Sequence, residues 1–183
     1  MKSKTVASTR VEMSEVMTPN NANFLGKVFG GHILALLDLV AYATSSKFAE
    51  AICVTASFDR VDFHEPIEVA ELVSCVGHVT YVGRSSVEVT IEVYAENVLK
   101  GGRRHTNTAR VTMVAVGPDG RPVPAPRLIC ETPEEKIRFL EGRLRRELRG
   151  AQRQEFEEFA RRFREASATE LDELIEAPKL IDR

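Results

Sequence analysis

A glycine pair and an acidic residue mark the segment of this sequence that could carry out chemistry. Gly30 and Gly31 precede an apolar run of helical character, and Asp38 lies within that run, seven residues after Gly31. A helix that begins at two glycines presents unpaired backbone N–H groups to an oxyanion, and no side chain blocks them. An acid in an apolar helix is costly unless it has a partner or a function. The segment therefore predicts a site that polarises a carbonyl and activates water.

The spacing of Gly31 and Asp38 predicts that two subunits share the site. At about 3.6 residues per turn the two residues lie on nearly the same helix face, but about 10 Å apart along the axis. Groups that act on one carbonyl must lie within about 3 Å of it. In a twofold dimer, a second, antiparallel helix would bring Gly31 of one chain to the partner subunit's Asp38, and the reverse. We therefore expect a catalytic pair assembled in trans.

Asn23 lies in the loop that leads into this helix. Its side-chain amide could orient water or steady an acyl oxygen beside Gly31. Asparagine is also a preferred turn residue, so a purely structural role for Asn23 remains open. For Asp38 the structural alternative is a buried carboxylate tied to arginine or backbone at a dimer contact.

The surrounding pattern predicts one α+β domain. A strand over about 4 to 16, the single apolar helix, and four later strands follow in order, over 52 to 63, 69 to 82, 86 to 97 and from 108. Short strands with tight connections favour a five-stranded antiparallel sheet wrapped around the helix, which is the layout of the hotdog fold. Such a sheet leaves one edge and one side open, so we expect closure by a second copy.

Composition excludes several functions. The net charge of −2 with interspersed acids and bases argues against nucleic-acid binding, and three dispersed cysteines argue against a disulfide framework or a zinc site. Since no apolar run is long enough to span a bilayer, we expect a cytoplasmic protein that binds no membrane. The proline-rich stretch RPVPAPR closes the first domain, 1–127, and the charged remainder, 128–183, is predicted to be a helical extension interrupted near Gly150.

Three motifs in register carry a resemblance to a known family. The stretch PNNANFLGKVFGGHILALLDLVAYA is similar to the N-x-x-G-x-x-F/H-G-G-x-x-L-x-x-x-D/E pattern of cytosolic acyl-CoA thioesterases, the hotdog group that includes brain-type acyl-CoA hydrolase and bacterial single-domain relatives. VTASFDRVDFHEPIEVAELV and YVGRSSVEVTIEV resemble two further segments of that family. The resemblance covers about residues 5 to 127. It implies a hotdog dimer, usually built into a trimer of dimers, that hydrolyses acyl-CoA without a metal or bound cofactor.

The resemblance also implies roles for individual residues. Asp38 corresponds to the family's helix carboxylate, Asn23 to its loop asparagine, and Gly31 to its helix-end amide. Asp38 would then act as a general base on water, or as a nucleophile that forms a mixed anhydride. The residues expected to meet CoA are Gly83, Arg84, Ser85 and Ser86.

Two departures and two rival functions accompany the resemblance. The bulky Phe24 and Leu25 occupy loop positions where relatives often carry small or polar residues, and His64 stands where many relatives have lysine. An acyl-thioester dehydratase on the same fold would require His32 or His64 to act with an acid, but neither lies in a dehydratase-like motif. A CoA-ester sensor would not need the combination of Asp38 and Asn23.

Overall fold

The computed structural model describes residues 3–63 and 65–180, so His64 lies outside the described residues. All seven strands of the described residues lie before residue 130, and helices dominate thereafter. The strands are β1 Ser3–Thr5, β2 Val11–Val16, β3 Ile52–Phe58, β4 Glu71–Val82, β5 Ser86–Asn97, β6 Gly101–Val116 and β7 Arg127–Ile129. The helices are α1 Gly30–Ala49, α2 Pro133–Glu165 and α3 Ala168–Glu176.

A five-stranded antiparallel sheet in the order β2-β4-β5-β6-β3 forms the centre of the fold. Alternate residues of β5 and β6 are fully buried in the core that the sheet shares with one face of α1. The helix approaches the sheet closely at Gly77, where an added Cβ would lie 2.6 Å from the Val40 side chain. The predicted α+β hotdog architecture, with one sheet wrapped around a central helix, is confirmed.

Three strand boundaries differ from the prediction. The segment over 4 to 16 is not one strand, because a short 3-10 helix at Ala7–Thr9 separates β1 from β2. β1 leaves the main sheet and pairs in parallel with β7. β3 ends at Phe58, and β6 begins at Gly101 because residues 101 to 107 pair with β5 despite their polar sequence. Cross-strand pairing therefore overrode local composition at these places.

The C-terminal segment is helical as predicted, but its interruption was placed wrongly. α2 runs through Gly150 without a break, because one glycine costs only about 1 kcal/mol among strong helix formers. The helix ends before Ser167, which caps α3 with its side chain. The compact units are Met1–Gly142 and Arg143–Arg183, and β7 spans the predicted boundary after residue 127. Within residues 3–63 and 65–180, no helix is both long and apolar enough to cross a bilayer.

An ion pair anchors the segment that supports the Asn23 loop. Arg104 donates to both carboxylate oxygens of Glu71, at 2.6 and 2.9 Å, and to the Pro66 carbonyl oxygen at 2.9 Å. The adjoining Ile67 carbonyl oxygen accepts a hydrogen bond from the Val28 N–H. These contacts fasten the connection between β3 and β4 to the loop before α1. The Arg104 hydrogen bonds lower the pKa of Glu71 below its ordinary value.

Glu71→Gln should lower the free energy of unfolding at pH 7 by about 1–3 kcal/mol, because the part-buried guanidinium hydrogen bonds lose their charged acceptor. Since the pKa of Glu71 is depressed in the fold, this stabilisation is present above the ordinary glutamate pKa and is lost as the pH falls through the folded-state pKa. Urea titrations from pH 7 to pH 3 should show the difference between mutant and wild type shrinking below pH 4.5.

Glu65→Gln is the matched control. Glu65 also accepts from Arg104, at 3.2 Å, but its side chain is 51% exposed, so we expect a loss below about 1 kcal/mol. Equal losses for the two glutamine variants would contradict the anchoring role of Glu71.

Candidate active site

The first turn of α1 leaves two backbone amides available. Phe29 precedes the helix in an extended conformation and provides no side-chain cap. The His32 N–H donates to the Phe29 carbonyl oxygen at 2.9 Å, whereas the N–H groups of Gly30 and Gly31 donate to no partner within the described residues. The positive end of the helix dipole adds to these donors. This helix end can therefore hold a carbonyl oxygen as it becomes negative.

The Asn23 side chain can serve both roles that the sequence suggests, which are closing a turn and donating a hydrogen bond to a reactant. Its Oδ1 accepts hydrogen bonds from the Leu25 N–H at 2.9 Å and the Lys27 N–H at 3.2 Å, so it does close a turn. Its Nδ2 donates to no partner among residues 3–63 and 65–180. The turn bonds fix the side chain and leave the amide NH₂ available to an oxygen atom outside the chain.

Asn23 and Gly31 line one surface cavity, together with Phe24, Phe29 and His32. Its volume is about 760 Å³, which lies within the ordinary range for small-molecule sites. The structure therefore brings two of the three predicted catalytic residues together. The third, Asp38, does not line this cavity.

Asp38 has a different partner, Thr55 of strand β3. The Thr55 hydroxyl donates to Asp38 Oδ1 at 2.5 Å and also lies 3.6 Å from Met113 Sδ. Asp38 is half-buried rather than enclosed in the core. A hydroxyl bound to one carboxylate oxygen fixes the orientation of the group and leaves the other oxygen to face a reactant. Sequence reasoning did not find Thr55, because only the folded sheet brings it to the helix.

The Asp38–Thr55 pair lies near one edge of the sheet. β3 forms this edge, and its Ile52 and Val54 side chains, which alternate with Thr55 and project from the opposite face, are 60% and 47% exposed. On α1, Leu39 is 55% exposed. An open strand edge beside exposed apolar side chains is typical of a surface that another chain covers. This is the open side expected from the sequence.

The predicted CoA segment forms the turn between β4 and β5. The Gly83 N–H donates to the Ser86 carbonyl oxygen at 2.8 Å, and the Arg84 carbonyl oxygen accepts from the Ala125 N–H at 2.8 Å. The Arg84 side chain is exposed and forms no ion pair within the described part of the chain. Its guanidinium is therefore available to an external anion.

This turn lies in the same part of the sheet as Thr55, not beside Asn23. Thr55 pairs with Met113, and Met113 pairs with Val87, directly after the turn, so about 10 Å separates Thr55 from β5. The Asn23 loop is instead attached near Glu71, at the opposite end of the 12-residue strand β4. One chain thus carries two separate groups of candidate residues.

His32 makes contacts that suit a structural role. Its ring Nε2 lies 3.1 Å from Asn21 Nδ2 and 3.3 Å from Glu15 Oε1. The main-chain carbonyl oxygen of Asn21 in turn accepts a hydrogen bond from the Phe29 N–H at 2.7 Å. His32 therefore joins β2 to the first turn of α1.

Comparison with known proteins assigns the fold to a family. The family model for the thioesterase superfamily matches residues 25–101. YkhA of Bacillus subtilis, named as an uncharacterized acyl-CoA thioester hydrolase, is 37% identical over 73% of this chain and 74% of its own length.

Solved structures extend the similarity beyond the matched segment. An apo-hexameric acyl-CoA thioesterase is similar with a TM-score of 0.79 and 37% identity, over 83% of this chain and 97% of its own. The acyl-CoA hydrolase of Staphylococcus aureus, solved with butyryl-CoA, CoA and CoA disulfide, has a TM-score of 0.78 and 29% identity, over 88% of this chain and 99% of its own.

The Staphylococcus aureus enzyme has also been solved as three alanine mutants. The mutated residues are an asparagine, an aspartate and a threonine. They are separated along that chain by the same intervals as Asn23, Asp38 and Thr55 here. By fold, motif and overall similarity, this chain belongs to the thioesterase superfamily, among the hotdog-fold acyl-CoA thioester hydrolases.

Proposed function

We propose that this protein hydrolyses acyl-CoA to a free carboxylic acid and CoA, at sites that two subunits complete for each other. The observation that carries the proposal is the division of the candidate residues into two groups. Gly31 and Asn23 share one cavity, whereas Asp38 and Thr55 contact each other near the open edge of the sheet. A twofold dimer in which the α1 helices run antiparallel would join one group to the other.

The carbonyl-binding half polarises the thioester. The Gly31 N–H donates to the carbonyl oxygen, and the developing oxyanion gains more from this amide and the helix dipole than the ground state does. The Asn23 Nδ2 group donates to the attacking water or to the acyl oxygen. Because thiolate is a good leaving group, polarising the carbonyl and positioning the water are the main requirements.

The partner subunit supplies the base. The partner's Asp38 takes a proton from water as the oxygen attacks the carbonyl carbon, and a tetrahedral oxyanion forms. Collapse of this intermediate breaks the C–S bond, and the proton held by the carboxylic acid passes to the departing CoA sulfur. The OH group of the water thereby ends in the product carboxylic acid, and its other proton ends on the CoA thiol. The alternative is a direct attack by the carboxylate, which forms a mixed anhydride and expels CoA as the thiolate before water opens the anhydride. In a single turnover, ¹⁸O from labelled water enters the aspartate when water attacks the aspartyl carbonyl carbon, and direct attack of water on the thioester never labels that residue.

We assign the binding of the CoA portion to the Gly83–Ser86 turn. It belongs to the half that contains Asp38 and Thr55, so CoA would lie on the subunit that supplies the base. The exposed Arg84 guanidinium matches phosphate oxygens in charge and geometry. The reaction as proposed uses neither a metal nor a bound cofactor, and we place it in the cytoplasm. The similar acyl-CoA thioesterase that was solved as a hexamer supports the assembly of three such dimers into a trimer of dimers.

A panel of acyl-CoA esters, assayed with a thiol reagent that reports released CoA, tests the function. We expect release by the wild-type protein at rates well above the uncatalysed reaction. The absence of release with every acyl chain from acetyl to palmitoyl would reject the proposal.

Mixed dimers should test the sharing of sites. Co-expressed Asp38→Asn and Gly31→Val chains, carrying different affinity tags, form heterodimers with one intact site and one doubly altered site. Purified heterodimers should therefore recover about half of the wild-type kcat, although each homodimer is nearly inactive. Circular dichroism of both homodimers controls for folding. Heterodimers as inactive as the parents would mean that each site belongs to a single chain.

A further inference from the structure

Two large apolar side chains project from the turn that contains Asn23. Phe24 is fully exposed, and Leu25 is 83% exposed. Apolar groups of this size gain free energy when they leave water, so their exposure in the single chain indicates that another molecule covers them.

Hydrogen bonds hold the backbone of the turn that carries these side chains. The Asn23 N–H donates to the Lys27 carbonyl oxygen at 2.7 Å, and the Gly26 N–H donates to the Asn23 carbonyl oxygen at 3.0 Å. Gly26 has a φ of +72°, a conformation that glycine adopts without strain. Lys27 forms an ion pair with Glu68 at 2.5 Å, which ties the base of the turn to the segment before β4. The turn is therefore a rigid support.

Only one of the two side chains lines the cavity. Phe24 borders it together with Asn23, Gly31 and Phe29, whereas Leu25 does not. Within the described residues, the lining combines the phenyl rings of Phe24 and Phe29 with the His32 imidazole and asparagine side chains, and it contains no lysine, arginine or carboxylate. An apolar wall next to amide donors suits a ligand that has an acyl oxygen at one end and a hydrocarbon chain at the other.

We propose that Phe24 is a specificity-determining residue whose ring forms a wall for the acyl chain. The preferred substrates are accordingly CoA esters of medium and long apolar acyl chains, and not of short or charged ones. This inference rests on the proposed function, because the Gly31 end of the cavity is taken as the position of the thioester carbonyl. The hydrocarbon chain then runs along Phe24 and Phe29.

The acyl chain is a better occupant of this wall than the partner subunit. Phe24 borders the cavity that contains the carbonyl-binding amide. In the proposed dimer the partner's Asp38 reaches this same cavity, so the thioester lies between the two subunits and its acyl chain leaves the carbonyl along the lining that includes Phe24. The cavity is also open, so the ring adds contact area along the chain and does not close off its length.

Binding of S-alkyl-CoA thioethers, which cannot be hydrolysed, tests the inference by calorimetry. We expect the wild-type protein to bind S-decyl-CoA more tightly than S-ethyl-CoA. Phe24→Ala should reduce this preference about tenfold, as expected for the loss of roughly 50 Å² of apolar contact. Leu25→Ala is the matched control and should change the preference less than about twofold, and Phe24→Leu should retain most of it. In the hydrolysis assay, the kcat/KM ratio of decanoyl-CoA to acetyl-CoA should fall in parallel.

Three results would overturn the inference. These are an unchanged chain-length preference in Phe24→Ala, an equal loss in Leu25→Ala, and dissociation of the Phe24→Ala oligomer by light scattering, which would assign the ring to a subunit contact. A wild-type protein that shows the expected thioether preference but releases no CoA would reject the proposed hydrolysis alone.

Discussion

Asp38→Asn should lower kcat for acyl-CoA hydrolysis by about a thousandfold, because a positioned general base contributes about 10²- to 10⁴-fold. Asparagine has nearly the same shape as aspartate, and its carbonyl oxygen can still accept the Thr55 hydrogen bond. The substitution therefore removes basicity while preserving the packing of α1. KM should stay within about threefold of wild type, since CoA and acyl contacts are unchanged. Steady-state release of CoA, measured with a thiol reagent, provides both constants.

Thr55 variants show whether the orientation of Asp38 contributes. Thr55→Val keeps the shape of the side chain but removes the donor to Asp38 Oδ1, so we expect kcat to fall by about 10- to 100-fold. Thr55→Ser keeps the hydroxyl and should retain most of the activity. An Asp38→Asn enzyme with more than about a tenth of wild-type kcat would contradict the role of the carboxylate as base or nucleophile. A fully active Thr55→Val enzyme would contradict the orienting role of the hydroxyl.

Gly77→Val should destabilise the protein by about 3 kcal/mol or more, because α1 crosses the sheet directly over this residue. A Cβ at position 77 would lie 2.6 Å from Val40 Cγ1 and 2.7 Å from Thr44 Oγ1, and both of those side chains are fully buried. Neither can move without displacing the helix that carries Gly31 and Asp38. Urea unfolding monitored by circular dichroism measures the loss, and Gly77→Ala should show a smaller one of about 1–3 kcal/mol.

Gly150→Ala is the control for the glycine substitution itself. No atom lies within 4 Å of a Cβ built at Gly150, in the interior of α2. Alanine there should stabilise the helix by up to about 1 kcal/mol. A Gly77→Val protein as stable as wild type would mean that the helix and the sheet can separate at little cost.

The local sequence pattern was sufficient to predict the bounds of an element where one of its faces is apolar. The alternation in β5 predicted its bounds, and the glycine pair predicted the start of α1, because buried faces impose a period on the sequence. The same reasoning failed for β6, whose first residues are polar and are held by pairing with β5. It also failed at Gly150, because a single glycine does not end a helix whose neighbours favour it.

By itself the sequence determined the fold class, the helix that begins at Gly30 and the approximate 10 Å interval between Gly31 and Asp38, because these depend on local periodicity and helix geometry. Only the tertiary structure decided that Thr55 orients Asp38, that Asn23 and Gly31 share a cavity, and that the Gly83–Ser86 turn lies with Asp38. Those relations join residues that are distant along the chain. Strand order and register bring them together, and no local pattern encodes either.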